Sequence, residues 1–163
     1  MIILGVDVGS GVKSATGLAA LETETFSILT VGIWPENRKD KANKRLQSLA
    51  SKFPGEIGDD IDVAVFESFA MRGKSGETLQ RLIGAYMSAL PKKTEIIEVA
   101  NTKVKQYIGG SGKSDKEEVG QGVLDWFKDK NKSAYKTIEG LIKKEKWDEV
   151  DAVAIAISGY LSL

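Results

Sequence analysis

Two spacings of apolar residues alternate along the chain, and together they lay out an order of elements. Ile2 to Val8 is a β-branched, apolar run with Asp7 near its end, which reads as a buried strand. Ala15 to Leu21 and Phe26 to Ile33 predict two more strands, separated by the polar stretch Glu22-Thr23-Glu24-Thr25. Around Lys41 to Phe53 the spacing turns helical, with Leu46, Leu49, Ala50 and Phe53 on one stripe, and Pro54-Gly55 ends it. Ile61 to Phe66 predicts a fourth strand with Glu67 at its C-terminal end. Leu79, Leu82, Ile83, Tyr86, Met87 and Leu90 then form an amphipathic helix stopped by Pro91. Glu95 to Val99 is a short fifth strand. A short helix follows through Val104, and then the glycine-rich stretch 109–112. Ser114-Asp115-Lys116-Glu117 fits a capping box that opens a helix to about Phe127. Residues 128–132 read as a solvated turn, Tyr135, Ile138, Leu141 and Ile142 as one further amphipathic helix, and 148–161 as an almost wholly apolar final helix.

Three strands joined by short turns make an antiparallel meander, and the two strands that follow helical crossovers run parallel to the first. The expected fold is therefore α/β: a five-stranded mixed sheet, three strands antiparallel and two parallel, flanked by helices. The ends of strands one and four then lie side by side at one edge of the sheet, with Asp7 and Glu67 facing each other. The 163 residues suffice for one domain with a proper core, and residues 1–163 are taken as one.

Composition narrows the chemistry. The chain has no histidine, which excludes Ser-His-Asp triads, HExxH zinc sites and imidazole bases. It has no cysteine, so neither disulfides nor thiolate-held zinc support the fold. Catalysis must rest on carboxylates, lysines, hydroxyls or a bound cofactor. Lys+Arg and Asp+Glu both total 23, so a nucleic-acid partner needs a local basic surface with the acids gathered elsewhere. No apolar run spans a bilayer and no export signal opens the chain, so a cytoplasmic protein without membrane contact is expected.

Four acids carry the candidate chemistry. Asp7 lies within the run GVDVGSG and Glu67 closes VAVFE, and a charge at the end of a buried strand is costly unless paired or metal-bound. Asp148 and Asp151, three residues apart, share one face in the first turn of the last helix. Packing that helix start over strands one and four gathers all four carboxylates. Such a cluster repels itself unless cations neutralise it. All-oxygen ligands suit Mg²⁺ or Mn²⁺, and two ions about 3.5–4 Å apart can drive phosphodiester cleavage without histidine or cysteine. Each acid also has a purely structural reading: a turn residue for Asp7, a solvated carboxylate for Glu67, an N-cap for Asp148 and a dipole partner for Asp151.

The same segments resemble the RuvC family of Holliday-junction resolvases, which have an RNase H-like fold. IILGVDVGSGVKSATGLAAL resembles the family's first two strands. VAVFESFAMRGKSGETLQRLIGA resembles its fourth strand, catalytic Glu, mobile loop and next helix. VKQYIGGSGKSDKEEV resembles its Val-Lys-Gln motif and lysine-bearing helix start, and DEVDAVAIAIS its closing helix. The matches are collinear over nearly the whole chain. The resemblance implies a homodimer that cuts symmetric strands of a four-way DNA junction with divalent metal, expected to be two Mg²⁺ ions per site with Mn²⁺ able to substitute. By position it implies Asp7, Glu67, Asp148 and Asp151 as metal ligands, with Lys105 and Lys116 approaching the scissile phosphate. Phe69 and Met71 stand where the family carries an aromatic junction wedge, and Arg72, Lys74 and Lys113 complete the expected DNA contacts.

Phe69 stands one residue early for that wedge, the stretch Lys132 to Lys146 is longer than the bacterial connection, and the charge balance is unusual for a DNA-binding enzyme. These departures suit a divergent branch of the family, such as a phage-encoded one. The apolar face around Leu82 and Tyr86 offers a surface for a second subunit, but a helix with such a face more often packs on its own sheet, so the homodimer rests mainly on the resemblance. GGSGKS at 109–114 resembles a Walker A loop, but Tyr107 stands where the motif needs its first glycine, so no nucleotide cofactor is expected. GVDVGSG also resembles the phosphate loop of actin-like ATPases, which need two such domains. A resolvase-like nuclease that processes ribosomal RNA precursors stays open as a function, and so does a junction-binding module that no longer cuts.

Overall fold

A computed structural model of the chain describes residues 1–9, 15–34, 44, 60–68 and 73–163. Of the helix expected over 41–53, only Lys44 is among the described residues, and it is helical and exposed. Five strands form one sheet: β1 (Ile2–Asp7), β2 (Thr16–Glu22), β3 (Ser27–Trp34), β4 (Val63–Ser68) and β5 (Glu95–Ala100). Five described helices accompany them: α1 (Gly73–Ala89), α2 (Asn101–Gly109), α3 (Lys116–Lys128), α4 (Lys132–Lys143) and α5 (Trp147–Tyr160).

The strand order is β3-β2-β1-β4-β5, with β1 to β3 antiparallel and β4 and β5 parallel to β1. The mixed sheet is the one expected, but β1 and β4 are neighbours in its middle rather than at an edge; the edges are β3 and β5. A central position leaves their shared C-terminal ends flanked by strands on both sides, which confines side chains there more than an edge does.

The period of two along each strand splits the core. Ile3, Ala19, Leu21, Val63, Val65 and Val99 face one cluster with α2, α3, α4 and α5. Leu4, Val6, Ala20, Ala64 and Phe66 face the other, with Leu79, Leu82, Tyr86 and Leu90 of α1. The apolar face of α1 thus packs on its own sheet. Helix α1 starts six residues before Leu79, the first apolar position that marks it in the sequence.

Helix α5 lies hard against the sheet. A Cβ on Gly5 would come within 2.7 Å of the Ala156 backbone nitrogen, and one on Gly17 within 2.6 Å of the Asp148 carbonyl carbon. Buried Ala152 and Ala156 supply the matching small surface on the helix. The capping box of α3 is shifted by one residue from the expected one. The Asp115 carboxylate accepts from the Glu118 backbone N–H, and the Glu118 side chain accepts from the Asp115 N–H, both at 2.9 Å. Ser114 is instead buried, its hydroxyl donating to the Gly109 carbonyl at 3.0 Å. Among the described residues no helix is long and apolar enough to cross a membrane.

Candidate active site

The site follows from strand period and helix placement. Asp7 shares the face of Ile3 and Gly5, and Glu67 that of Val63 and Val65, so both carboxylates point to the α5 side of the sheet. The parallel register pairs Val6 with Phe66, which sets Asp7 and Glu67 abreast one residue further on. Glu67 lies inside β4, one residue before its last, rather than beyond the strand. Across the other border of β1, Asp7 pairs with Gly17, the residue on which the Asp148 backbone rests. Close packing at one glycine therefore delivers the first turn of α5, with Asp148 and Asp151, beside Asp7. The N-cap of α5 is Lys146, so Asp148 lies within the helix rather than capping it.

Electrostatics show that the four acids share one neighbourhood. Burial, then the charges of Asp151, Glu67 and Asp148, push the Asp7 carboxyl up to about 8 from an ordinary 3.8, with Lys116 opposing. Burial likewise raises Glu67, which Asp151 raises further, while a hydrogen bond from the Asn101 side chain and the charge of Lys105 act against it. Asp151 is raised by burial and by Asp148, and lowered by Lys116 and Lys105. Two lysines, Lys105 of α2 and Lys116 of α3, thus sit within electrostatic reach of the acids.

A pocket of about 170 Å³ opens between these elements, lined by Glu67, Asn101, Lys105, Asp115, Lys116 and Asp151 over an apolar base. Asn101 and Lys105 are four residues apart at the start of α2, so both turn toward Glu67. Asp115, the cap of α3, and Lys116, its first residue, form the facing wall. Lys113 is exposed in the loop leading to that wall. Sequence reading overlooked Asn101 and Asp115. The signal available for Asn101 was a polar residue opening a helix directly after a strand, one turn before a candidate lysine.

Of the other expected DNA contacts, Phe69, Met71 and Arg72 lie outside the described residues. Lys74 belongs to α1, and its side chain is likewise outside them. The stretch Gly109 to Ser114 joins two helices, with Gly110 left-handed at φ 83°, whereas a phosphate-binding loop of Walker type leads from a strand into a helix.

Among the described residues, no three acids converge closely enough to form a ready metal cage. The donor set nonetheless fits a hard divalent cation. It consists of carboxylate oxygens alone, their mutual repulsion and burial hold three of the four acids above their ordinary range, and Glu67 Oε1 is buried without a hydrogen-bond partner.

No protein-family profile matches the chain, and no curated protein matches it by sequence. Among solved structures it is similar to Thermus thermophilus RuvC, at 18% identity over 97% of this chain and 92% of that one, with a TM-score of 0.61. It is similar to T. thermophilus RuvC in complex with a Holliday junction substrate, at 17% identity over 97% and 91% of the two chains, with a TM-score of 0.64. It also resembles Fowlpox virus resolvase in complex with substrate Holliday junction DNA, at 16% identity over 99% of each chain, with a TM-score of 0.53. At these identities the likeness is one of fold, and it extends over nearly the whole chain.

Proposed function

We propose that this protein is a divalent-metal-dependent endonuclease that cuts four-way or otherwise branched DNA. The observation that carries this reading is the electrostatic neighbourhood that Asp7, Glu67, Asp148 and Asp151 share near the ends of β1 and β4, with Lys105 and Lys116 lining a pocket beside Glu67 and Asp151. The solved structures of similar fold that hold Holliday junction DNA support the choice of substrate. Action as a homodimer follows from the same reading, because a four-way junction presents two equivalent strands to be cut.

In this reading the four acids hold two Mg²⁺ ions, with Mn²⁺ able to substitute. Bound there, the ions supply Lewis-acid polarisation of the scissile phosphate and an activated water. The chain's own groups do the remaining work. The hydrogen bond from Asn101 favours the ionised form of Glu67 against the effect of burial, and orients its carboxylate. Lys105 and Lys116 place two ammonium groups on the pocket wall, where they stabilise the charge that builds on the phosphate oxygens as the ester bond to phosphorus breaks. The apolar base formed by Val104, Val119 and Ile155 lowers the local dielectric and strengthens each of these interactions. Phe69, Met71, Arg72, Lys74 and Lys113 are assigned to junction contact in the same reading.

The test is incubation of the purified protein with an end-labelled four-way junction in Mg²⁺ or Mn²⁺, beside an Asp7→Asn control. Paired, symmetric nicks that vanish in the control are expected. Tight binding with no cleavage in either metal would overturn the nuclease reading in favour of a binding module.

A further inference from the structure

The chain's charge balance conceals a segregation. Between Lys128 and Lys146 stand seven lysines and three acids, a net charge of +4 in a chain whose total is zero. Most of this segment is α4, a helix held rigidly to the body. Ala134 and Ile138 are buried in the core, and Tyr135, Leu141 and Ile142 pack against it. The Asn131 side chain caps the helix by accepting from the Ala134 N–H at 2.9 Å, and donates to the Thr25 carbonyl at 3.0 Å. The lysines are therefore presented from a fixed surface rather than a tail.

That surface has a direction. Thr25 lies in the turn between β2 and β3, at the end of β2 away from Gly17, so α4 begins far from the acid cluster. Its other end leads through 144–146 into α5, whose first turn carries Asp148. At 1.5 Å per residue its 12 residues make a ramp about 18 Å long that ends beside the site. Lys132, Lys136 and Lys143 recur on one stripe of the helix, all exposed, and the exposed C-cap Lys144 lies about 100° round from Lys143. Gly140 lies on the same side with no atom within 4 Å of where its Cβ would be, so that face is open. Glu139 pairs with Lys143 at 3.0 Å on the exposed surface, and Lys146 lies 3.6 Å from buried Glu149. Among the described residues no carboxylate pairs with Lys132, Lys136 or Lys144, which leaves these three the main cations of the ramp.

We propose that α4 is a second DNA-contacting surface, a lysine ramp that carries the sugar-phosphate backbone of a duplex arm leading away from the cleavage site. This rests on the nuclease reading above and extends it from the scissile phosphate to the arm. A ramp about 18 Å long covers roughly five base pairs at 3.4 Å each. It contacts phosphate rather than base edges, so it adds affinity and orientation without sequence preference.

The experiment compares wild type with the triple variant K132Q/K136Q/K144Q, checked by its melting temperature. Binding is measured by fluorescence anisotropy in EDTA, across a salt series, on a four-way junction with arms of about 20 base pairs. Each phosphate contact contributes about 0.9 to the slope of log affinity against log salt. The variant should therefore lose about 2 to 3 in slope and about 10- to 100-fold in affinity, and cut saturating junction at the wild-type rate. Unchanged affinity and slope, with wild type still cutting, overturns the ramp and leaves the nuclease standing. A loss of affinity with no change in salt slope also overturns it, because the lysines would then not be contacting phosphate. A wild-type protein that neither binds nor cuts any junction removes both readings together.

Discussion

Gly17 is the position where one methyl group separates a folded chain from a working site. A Cβ there would come within 2.6 Å of the Asp148 carbonyl carbon, and the obstacle is helix backbone rather than a side chain that can turn away. Carbon atoms in contact rest about 3.5–4.0 Å apart, and the Asp148 carbonyl oxygen lies nearer still, so Gly17→Ala forces the start of α5 to retreat by at least about 1 Å. The retreat acts on Asp148 directly and on Asp151 one turn later, while Asp7 and Glu67 stay with the sheet. A misplacement of about 1 Å at a catalytic constellation costs on the order of 10²-fold in rate, and overpacking of this kind costs about 1–3 kcal/mol in stability.

The assay is single-turnover cleavage of a labelled four-way junction at saturating enzyme, in Mg²⁺ and in Mn²⁺, with a thermal melt run without divalent metal. The expected result is a cleavage rate lowered by about two orders of magnitude and a melting temperature lowered by roughly 3–10 °C. Gly140→Ala is the control. It lies in α4 with nothing within 4 Å, so it should melt slightly higher than wild type, by about 0.5–1 kcal/mol, and keep full activity. A Gly17→Ala protein that melts with wild type and cuts at the wild-type rate would refute the idea that this glycine sets the site.

Further outcomes follow from the electrostatics. A carboxyl raised from 3.8 to about 8 holds its proton more tightly in the folded state, so metal-free stability should fall as pH rises between those values. Melting curves from pH 4 to pH 9 in EDTA check this, and added Mg²⁺ should restore the loss at the upper end. Asp7→Asn removes the raised group. It should abolish cleavage yet raise the metal-free melting temperature at pH 8 by a few degrees, a sign that a merely structural aspartate would not give. Lys116→Ala should lower the single-turnover rate about 10²- to 10³-fold while junction binding in EDTA changes little. Asn101→Ala removes the hydrogen bond that lowers Glu67, so the rising limb of the pH–rate profile should move to higher pH; a profile of unchanged shape would contradict the positioning role.

The sheet was legible because its strands are short, β-branched and set off by polar turns, so period and topology followed from spacing alone. Asp7, Glu67, Asp148 and Asp151 stood out for a related reason: charges beside apolar runs are costly, and cost is visible in a sequence. What sequence did not disclose depends on contacts between distant segments. Asn101 acts through Glu67, which stands 34 positions before it, and a single polar residue opening a helix carries no mark of its partner. Gly5 and Gly17 read as ordinary strand glycines until α5 is laid against them. The capping box was missed by one residue because Ser114 and Asp115 are both good caps; tertiary structure decides between them by burying Ser114 against Gly109.

The placement of α5 also explains how a metal-free chain can tolerate such a cluster. Four carboxylates held together oppose folding, and protonation of Asp7 relieves only part of that repulsion. The compensation comes from the same helix that delivers two of the acids. Its residues from Ala152 to Gly159 are all buried, most of them Ala, Val or Ile, and they pack on the central strands and on the neighbouring helices. The apolar area that α5 buries along its body offsets the electrostatic cost at its first turn. In the function proposed above, divalent metal would offset that repulsion, while the packing of the helix body lies away from it. Stability and activity are thus set at opposite ends of one helix. Substitutions in its buried body, such as Ile157→Ala, should therefore lower the melting temperature with and without metal alike, whereas substitutions at Asp148 or Asp151 should change how far metal raises it.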